Sequence, residues 1–310
     1  AVALTKTVKL YKYENSSYLN IGFLNGSGSS IAQVCDIDLN DNGTKIVVGF
    51  CAGDSNAVTD GFIEIFHLNN SGSWESKGVF SDSGISFTGA GVAIDASGDY
   101  VAFSSPGSWK YADINSGSTR ISLLSLNGSN YQFIAKYEDT VTVNEFGWSI
   151  DLSDDKTIII GSPVRSNSSG YQLDIGGRAI IVSCPFDNYY TRSIDAPGCN
   201  QKGSIQIGEF NSEYPYGSRF GNAVSISSNG DRIAVGEIYF PLGTNTGRTK
   251  VFNYNGTDFI EESAINGLSN SNFSGGSVSL SSEGYDIAIS DHLDDSNGDN
   301  SGTVRVISLR

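Results

Sequence analysis

Apolar and polar residues alternate with period two in five stretches of the chain, with apolar positions at Ile37 and Leu39, Val92 and Ile94, Ile150 and Leu152, Val224 and Ile226, and Val278 and Leu280. Such alternation puts every second side chain on one face and predicts β-strands. A polar turn follows, carrying Asn42-Gly43, Ser97-Gly98, Asn229-Gly230 and Glu283-Gly284. Glycine there supplies the positive φ of a tight hairpin. The third copy instead reads Asp154-Asp155-Lys156 and is one residue shorter. Beyond the turn comes a second strand, apolar on both faces: Ile46 to Val48, Val101 to Phe103, Ile158 to Ile160, Ile233 to Val235 and Ile287 to Ile289. A strand of that kind must be covered on both sides.

A third strand recurs at Phe62 to Phe66, Arg120 to Leu124, Ala179 to Val182, Thr249 to Phe252 and Thr303 to Ile307, and a fourth is marked by an early aromatic at Trp74, Tyr131 and Phe259. The turns are spaced 55, 58, 74 and 54 residues apart. One supersecondary unit is therefore used repeatedly. Four strands per unit, with the second covered on both faces, predict an all-β propeller rather than a sandwich. Residues 1–310 read as one β-propeller domain of five blades of about four antiparallel strands, with hairpins near 31–80, 88–138, 146–210, 220–264 and 273–310; six or seven blades are the alternative. The segment from Val8 to Phe23 reads as a third-and-fourth-strand hairpin, and a third-type strand precedes Arg310. The terminal strands are accordingly expected to share the closing blade, 5–25 completing it, with one strand in excess. Either an outer strand is extra or another molecule completes the blade. No stretch has a capped 3.6-residue period, so almost no helix is expected.

The 34 acidic and 19 basic residues give a formal charge of −15, which argues against nucleic acid, since phosphates call for Lys and Arg. No apolar run approaches the roughly 20 residues of a membrane-spanning helix. The chain starts at Ala1 and lacks methionine, consistent with a removed secretory signal or with a chosen start. Cys35 and Cys51 are symmetric about Asn42-Gly43 and so face each other across a hairpin, while Cys184 and Cys199 bracket a long insert. Two disulfides are expected, and with them an extracellular or cell-surface, secreted protein; four buried thiols are the alternative. N-glycosylation acceptors stand at Asn15, Asn25, Asn42, Asn69, Asn127, Asn167, Asn255 and Asn272. Of these, Asn15, Asn69, Asn127 and Asn255 fall in equivalent hairpin turns, where a glycan is carried without disturbing a core.

FGNAVSISSNGDRIAVGE from Phe220, followed by NTGRTKVFNYNGTDF, resembles the FG-GAP-type repeat of integrin-α-like propellers, and the resemblance extends over nearly the whole chain. Phe-Gly stands at Phe146-Gly147 and Phe220-Gly221, is blurred at Phe273-Ser274, and is absent from repeats one and two. The family's Gly-Ala-Pro is represented by Ser104-Ser105-Pro106 and Gly161-Ser162-Pro163. Many members of that family hold calcium in an acidic loop, where Asp and Asn oxygens suit a hard cation. Here the equivalent turns are poor in carboxylates; Asp36, Asp38 and Asp41 come closest. Asp295, Asn297 and Asp299 at alternate positions give a second calcium candidate, against a solvated acidic loop. The closing GTVRVISL also resembles a WD-repeat strand, but the units are longer than that family's and its Gly-His and Trp-Asp pairs are missing. No turn carries a full sialidase-type Asp-box.

Five-bladed propellers include glycosidases, which need carboxylates converging on the scissile bond. Asp36, Asp38, Asp95 and Asp151 are the candidates, though the matching positions Ala93, Ser225 and Ser279 are not acidic. Only His67 and His292 are available for histidine chemistry, and neither a zinc spacing nor a nucleophile elbow is present. Long polar loops carry Trp109, Tyr111, Tyr189 and Tyr190, a chemistry suited to recognising protein or glycan. The leading expectation is an extracellular, non-enzymatic propeller acting in adhesion or as a structural subunit of a surface assembly, with self-assembly among its contacts. A glycan-binding lectin is the second, and a carboxylate-dependent glycosidase the third.

Overall fold

The computed structural model describes residues 2–3, 7–26, 32–52, 61–82, 87–106, 119–139, 146–163, 177–183, 190–193, 200–205 and 217–310. Among them are strands and turns and no helix. The first sheet holds β1 (Val2–Ala3), β2 (Thr7–Glu14) and β3 (Ser17–Asn25); the second β4 (Ala32–Leu39), β5 (Lys45–Ala52), β6 (Phe62–Leu68) and β7 (Trp74–Phe80). The third holds β8 (Val92–Ile94), β9 (Tyr100–Ser105), β10 (Thr119–Asn127) and β11 (Asn130–Asp139). In the fourth are β12 (Ser149–Leu152), β13 (Thr157–Ser162), β14 (Arg178–Ser183) and β16 (Asn200–Ile205), and in the fifth β17 (Phe220–Ile226), β18 (Arg232–Glu237), β19 (Arg248–Tyr254) and β20 (Phe259–Asn266). The sixth has β21 (Ser274–Leu280), β22 (Asp286–Asp291) and β23 (Thr303–Ser308). A short strand from the insert, β15 (Tyr190–Ser193), joins the third sheet parallel to β11.

One turn joins the first two strands in every repeat. The N–H of Gly43 donates to Asn40 O at 2.9 Å, and Gly98, Lys156, Gly230 and Gly284 repeat the bond to Asp95, Ser153, Ser227 and Ser281. Lys156 adopts φ +67° where the other repeats use glycine, a left-handed conformation costing a side chain roughly 1–2 kcal/mol. The shorter third repeat thus keeps the turn at some energetic cost.

The core lies between consecutive sheets, in five clusters. Val8, Leu10 and Leu24 of the first sheet pack on Ile46, Val48 and Phe50 of the second. Val47, Ile63 and Ile65 meet Val101 and Phe103. Ala102, Ile121 and Leu123 meet Ile158 and Ile160. Ile159 and Ile181 meet Ile233 and Val235, and Ala234 and Val251 meet Ile287 and Ile289. This is why the second strand of the repeat is apolar throughout: its outer two residues face the preceding sheet and its middle one the following sheet. Each buried Val or Ile adds about 1.5–3 kcal/mol.

Glycines let these sheets approach. A Cβ on Gly161 would lie 2.2 Å from the carbonyl oxygen of Gly221, which itself has φ +92°. The same contact recurs from Gly49 to Gly89 and from Gly236 to Gly275. The Phe-Gly glycine is therefore an inter-sheet contact, and repeat two retains it as Gly89 although its phenylalanine is gone. Repeat one has Val34 at that position, beside a first sheet whose β1 spans two residues.

The fold is all-β and propeller-like. β1–β3 form one hydrogen-bonded sheet and β21–β23 another, with no strand pairing between them among the described residues. The third-strand place that β2 would fill in the last repeat is already taken by β23. Six sheets are formed by the described residues, and the third has five strands.

Candidate functional site

The innermost strands lie side by side, β4 against β8, β8 against β12, β12 against β17 and β17 against β21. Their candidate acids are joined to the neighbouring sheet. Asp36 Oδ1 accepts the N–H of Ile37 and its Oδ2 that of Val92, both at 2.9 Å. Asp38 does the same with Leu39 and Ile94, both at 2.8 Å. Asp151 accepts Leu152 N–H and Ile226 N–H at 2.8 Å, and the Ser225 hydroxyl at 2.9 Å. Ser225 in turn accepts Leu280 N–H at 3.0 Å. Three acids and one serine thus cap the exposed edge of the next inner strand, where an unpaired buried N–H would cost about 1–3 kcal/mol.

The setting makes these carboxylates hard to ionise. Burial pushes Asp36 up to about 6 against the opposing pull of Val92 and Ile37 N–H. Asp38 is pushed up to about 8, by burial first and then by the nearby Asp151 charge. Asp151 is raised by burial as well. The acids therefore converge electrostatically, but each has both oxygens engaged by backbone donors. Asp95 does not join them: it is buried, and caps its own turn through Tyr100 N–H at 2.8 Å and the Ser97 hydroxyl at 2.6 Å. Asn40, Ser153, Ser227 and Ser281 do the same in the other repeats. His67 is a strand residue whose Nε2 lies 3.0 Å from the Tyr131 hydroxyl of the third sheet. Burial lowers its pKa.

In the candidate calcium loop, Asp295, Asn297 and Asp299 are exposed, and Asp295 Oδ1 accepts Asn300 N–H at 2.6 Å. The neighbouring Asp294 accepts Ser296 N–H at 3.0 Å and the Thr303 hydroxyl at 2.9 Å on one oxygen, and Asn272 Nδ2 at 2.8 Å on the other. The Ser296 hydroxyl also donates to it and holds its carboxyl below the usual range. Among the described residues no three His, Cys, Asp or Glu side chains are grouped to hold a metal ion. Asp294 and one oxygen of Asp295 are thus already engaged by neighbouring donors.

Cys35 and Cys51 form a disulfide across β4 and β5, with Cα atoms 5.9 Å apart. Cys51 stands opposite Gln33, and Cys35 reaches it from the irregularity between Val34 and Asp36. Cys184, Cys199, Asn167, Trp109, Tyr111 and Tyr189 lie outside the described residues. Tyr190 begins β15, paired with Ala135, where the sequence suggests a loop. Asn15, Asn25, Asn42, Asn127 and Asn255 are exposed and Asn69 is half-buried. Asn272 is corrected as a glycan acceptor: it is 4% exposed and its amide nitrogen is bound to Asp294.

Buried ion pairs between the second and third strands escaped sequence reasoning. Glu237 pairs with Arg248 at 2.5 Å and Asp291 with Arg305 at 2.6 Å. Asp82 gathers Lys136 at 2.8 Å, Arg120 at 3.5 Å and the hydroxyls of Ser105 and Ser122. An acid closing one strand and an arginine opening the next was the available signal in the fourth repeat.

No family model matches the sequence, and no curated protein does. Among solved structures, the chain is similar to a Bacteroides uniformis protein described as a candidate 6-phosphogluconolactonase, with 11% identity and a TM-score of 0.53 over 86% of this chain and 68% of that one. It is also similar to Sqt1 of Chaetomium thermophilum, with 12% identity and a TM-score of 0.53 over 99% of this chain and 64% of that one. The chain thus spans about two thirds of the length of each. Identities this low establish the fold and no activity.

Proposed function

We propose that this chain is a non-enzymatic propeller scaffold, extracellular or at a cell surface, that acts in adhesion or as a structural subunit of a surface assembly. The observation that carries this reading is the occupation of the inner carboxylates. Glycoside hydrolysis needs one carboxyl group to give a proton and another to attack or to activate water. Asp36, Asp38 and Asp151 instead have their oxygens facing backbone N–H groups of their own and the next sheet. Their chemistry is that of clamps between sheets.

The left-handed glycines of Phe146-Gly147 and Phe220-Gly221, φ +83° and +92°, support the FG-GAP resemblance. The Cys35–Cys51 bridge and the exposed acceptors Asn15, Asn127 and Asn255 support an oxidising, extracellular setting. The lactonase described for one structural neighbour is not carried over at 11% identity.

The full chain, offered glycosides and sugar lactones and applied separately to glycan and cell-surface protein arrays, tests the reading. No turnover is expected, together with retention on a protein surface. Turnover abolished by Asp151→Asn in a folded variant would overturn it in favour of a hydrolase. Retention on one glycan, lost in Tyr189→Ala, would overturn it in favour of a lectin.

A further inference from the structure

At the four junctions that follow the second to fifth sheets, two residues of the third strand face the following sheet. They are Ile63 and Ile65, Ile121 and Leu123, Ala179 and Ile181, and Thr249 and Val251, all 0% exposed. Strand register puts Val304 and Val306 in the same places in the sixth sheet, opposite Ser290 and Ala288. They are 66% and 75% exposed. The sequence keeps these positions apolar although nothing among the described residues covers them. β23 is also the one third strand, among the described sheets after the first, with no fourth strand on its outer edge.

The first sheet shows the converse. Val8, Leu10 and Leu24 pack on the second sheet, so the opposite face carries Lys9, Tyr11, Tyr13, Tyr18 and Phe23, with Tyr18 73% and Phe23 66% exposed. That face stands where every later sheet meets its predecessor. Charge agrees with this placement. Two residues past the turn glycine, Lys45 reaches Asp99 of the next sheet at 2.7 Å and Arg232 reaches Gly284 O at 3.0 Å. The residue at that position in the sixth sheet is Asp286, exposed, and the face that would follow carries Lys9.

We infer that a second copy of this chain docks head to tail, the aromatic outward face of its first sheet covering the Val304 and Val306 face of the sixth. The contact continues across the molecular boundary the stacking used at five junctions within it. Its two surfaces are different, so the interface is heterologous and propagates into chains of molecules. In one copy both faces are exposed, at Val304 and Val306 on one side and at Tyr18 and Phe23 on the other. The inference deepens the assembly side of the proposed function and rests on it.

Sedimentation velocity of the full chain over a range of concentrations tests it. Dimers and longer species are expected to grow with concentration and with added salt, because salt screens the repulsion between copies of net charge −15. Val306→Glu and Phe23→Glu alter exposed residues, and each alone is expected to be a folded monomer by circular dichroism. Their equimolar mixture retains one intact face of each kind and is expected to stop at dimers. A wild-type chain that stays monomeric overturns the inference, whether its faces close on each other or remain bare. So does association that survives either single change. A monomer still retained on a protein array defeats the stacking while leaving the scaffold reading intact.

Discussion

Asp38 Oδ2 accepts the N–H of Ile94, 56 residues further along the chain and in the next sheet, at 2.8 Å. The bond ties a carboxyl that burial keeps protonated to the stability of the stack, so the stack senses pH. Asp36 and Asp38 have folded values of about 6 and about 8 against 3.8 for the free group. The folded state therefore binds more protons than the unfolded one between pH 4 and 8, and stability falls as pH rises through that window. Melting is expected to be higher at pH 5 than at pH 8.5 by on the order of a few degrees. Asp38→Asn removes the larger of these two shifts and is expected to make the profile shallower, leaving the part due to Asp36. A wild-type melting temperature that rises across the window would contradict the assignment.

Gly161→Ala puts a methyl group against the Gly221 carbonyl, 2.2 Å away. Backbone has to move at both sheets, so a loss of about 3 kcal/mol or more in urea unfolding is expected. Gly128→Ala is the control. That glycine has φ +66° and open space around it, so about 1–2 kcal/mol is expected from conformation alone. Equal losses would remove the junction's claim on glycine.

Secreted from a glycosylating host, the chain is expected to carry glycans at exposed turn acceptors such as Asn15, Asn127 and Asn255 and none at Asn272. Peptide mapping before and after enzymatic glycan removal reads this directly. A glycan on Asn272 would mean that its bond to Asp294 is absent in the folded protein.

Cys35→Ser with Cys51→Ser opens a loop of sequence separation 16. Chain-entropy reasoning sets the loss at about 3 kcal/mol. Reductant is expected to destabilise the wild type and to have a smaller effect on the double variant. If Cys184 and Cys199 are free thiols, reductant should leave the double variant unchanged.

Addition of calcium or a chelator is expected to leave the melting temperature unchanged, since Asp294 and Asp295 already accept Ser296 N–H and Asn300 N–H within their own loop. A rise of several degrees with calcium, lost in Asp299→Asn, would restore the cation site.

The repeat was legible because its constraints are local. A glycine or Lys156 at the turn, alternating inner strands and a second strand apolar on both faces all lie within about 16 residues, so sequence patterning carried the stacking of sheets. The clamps were not legible, for the partners of Asp38 and Asp151 are backbone N–H groups 56 and 75 residues away, and every residue but proline has one. β16 was missed because it lacks the early aromatic of Trp74, Tyr131 and Phe259, and β15, although it opens on Tyr190, was missed because its four residues lie inside the insert between Cys184 and Cys199, which reads as a loop. The separation of the two terminal sheets was hidden for another reason: whether β2 or β23 fills a third-strand place is decided by packing of Val8 and Leu10 on the second sheet, and both strands look alike in sequence.

The carbonyl of Gly221 resting on Gly161 belongs to a contact made between one repeat and the next, as do Gly89 on Gly49 and Gly275 on Gly236. Stability in such an array approximates a sum of nearest-neighbour terms. Cooperativity is then transmitted along the chain one interface at a time, and sheets bounded on a single side open first. Amide exchange should run inward from the first and sixth sheets toward the third and fourth. A whole repeat could also be gained or lost in evolution at the cost of one interface, with every other left as it was.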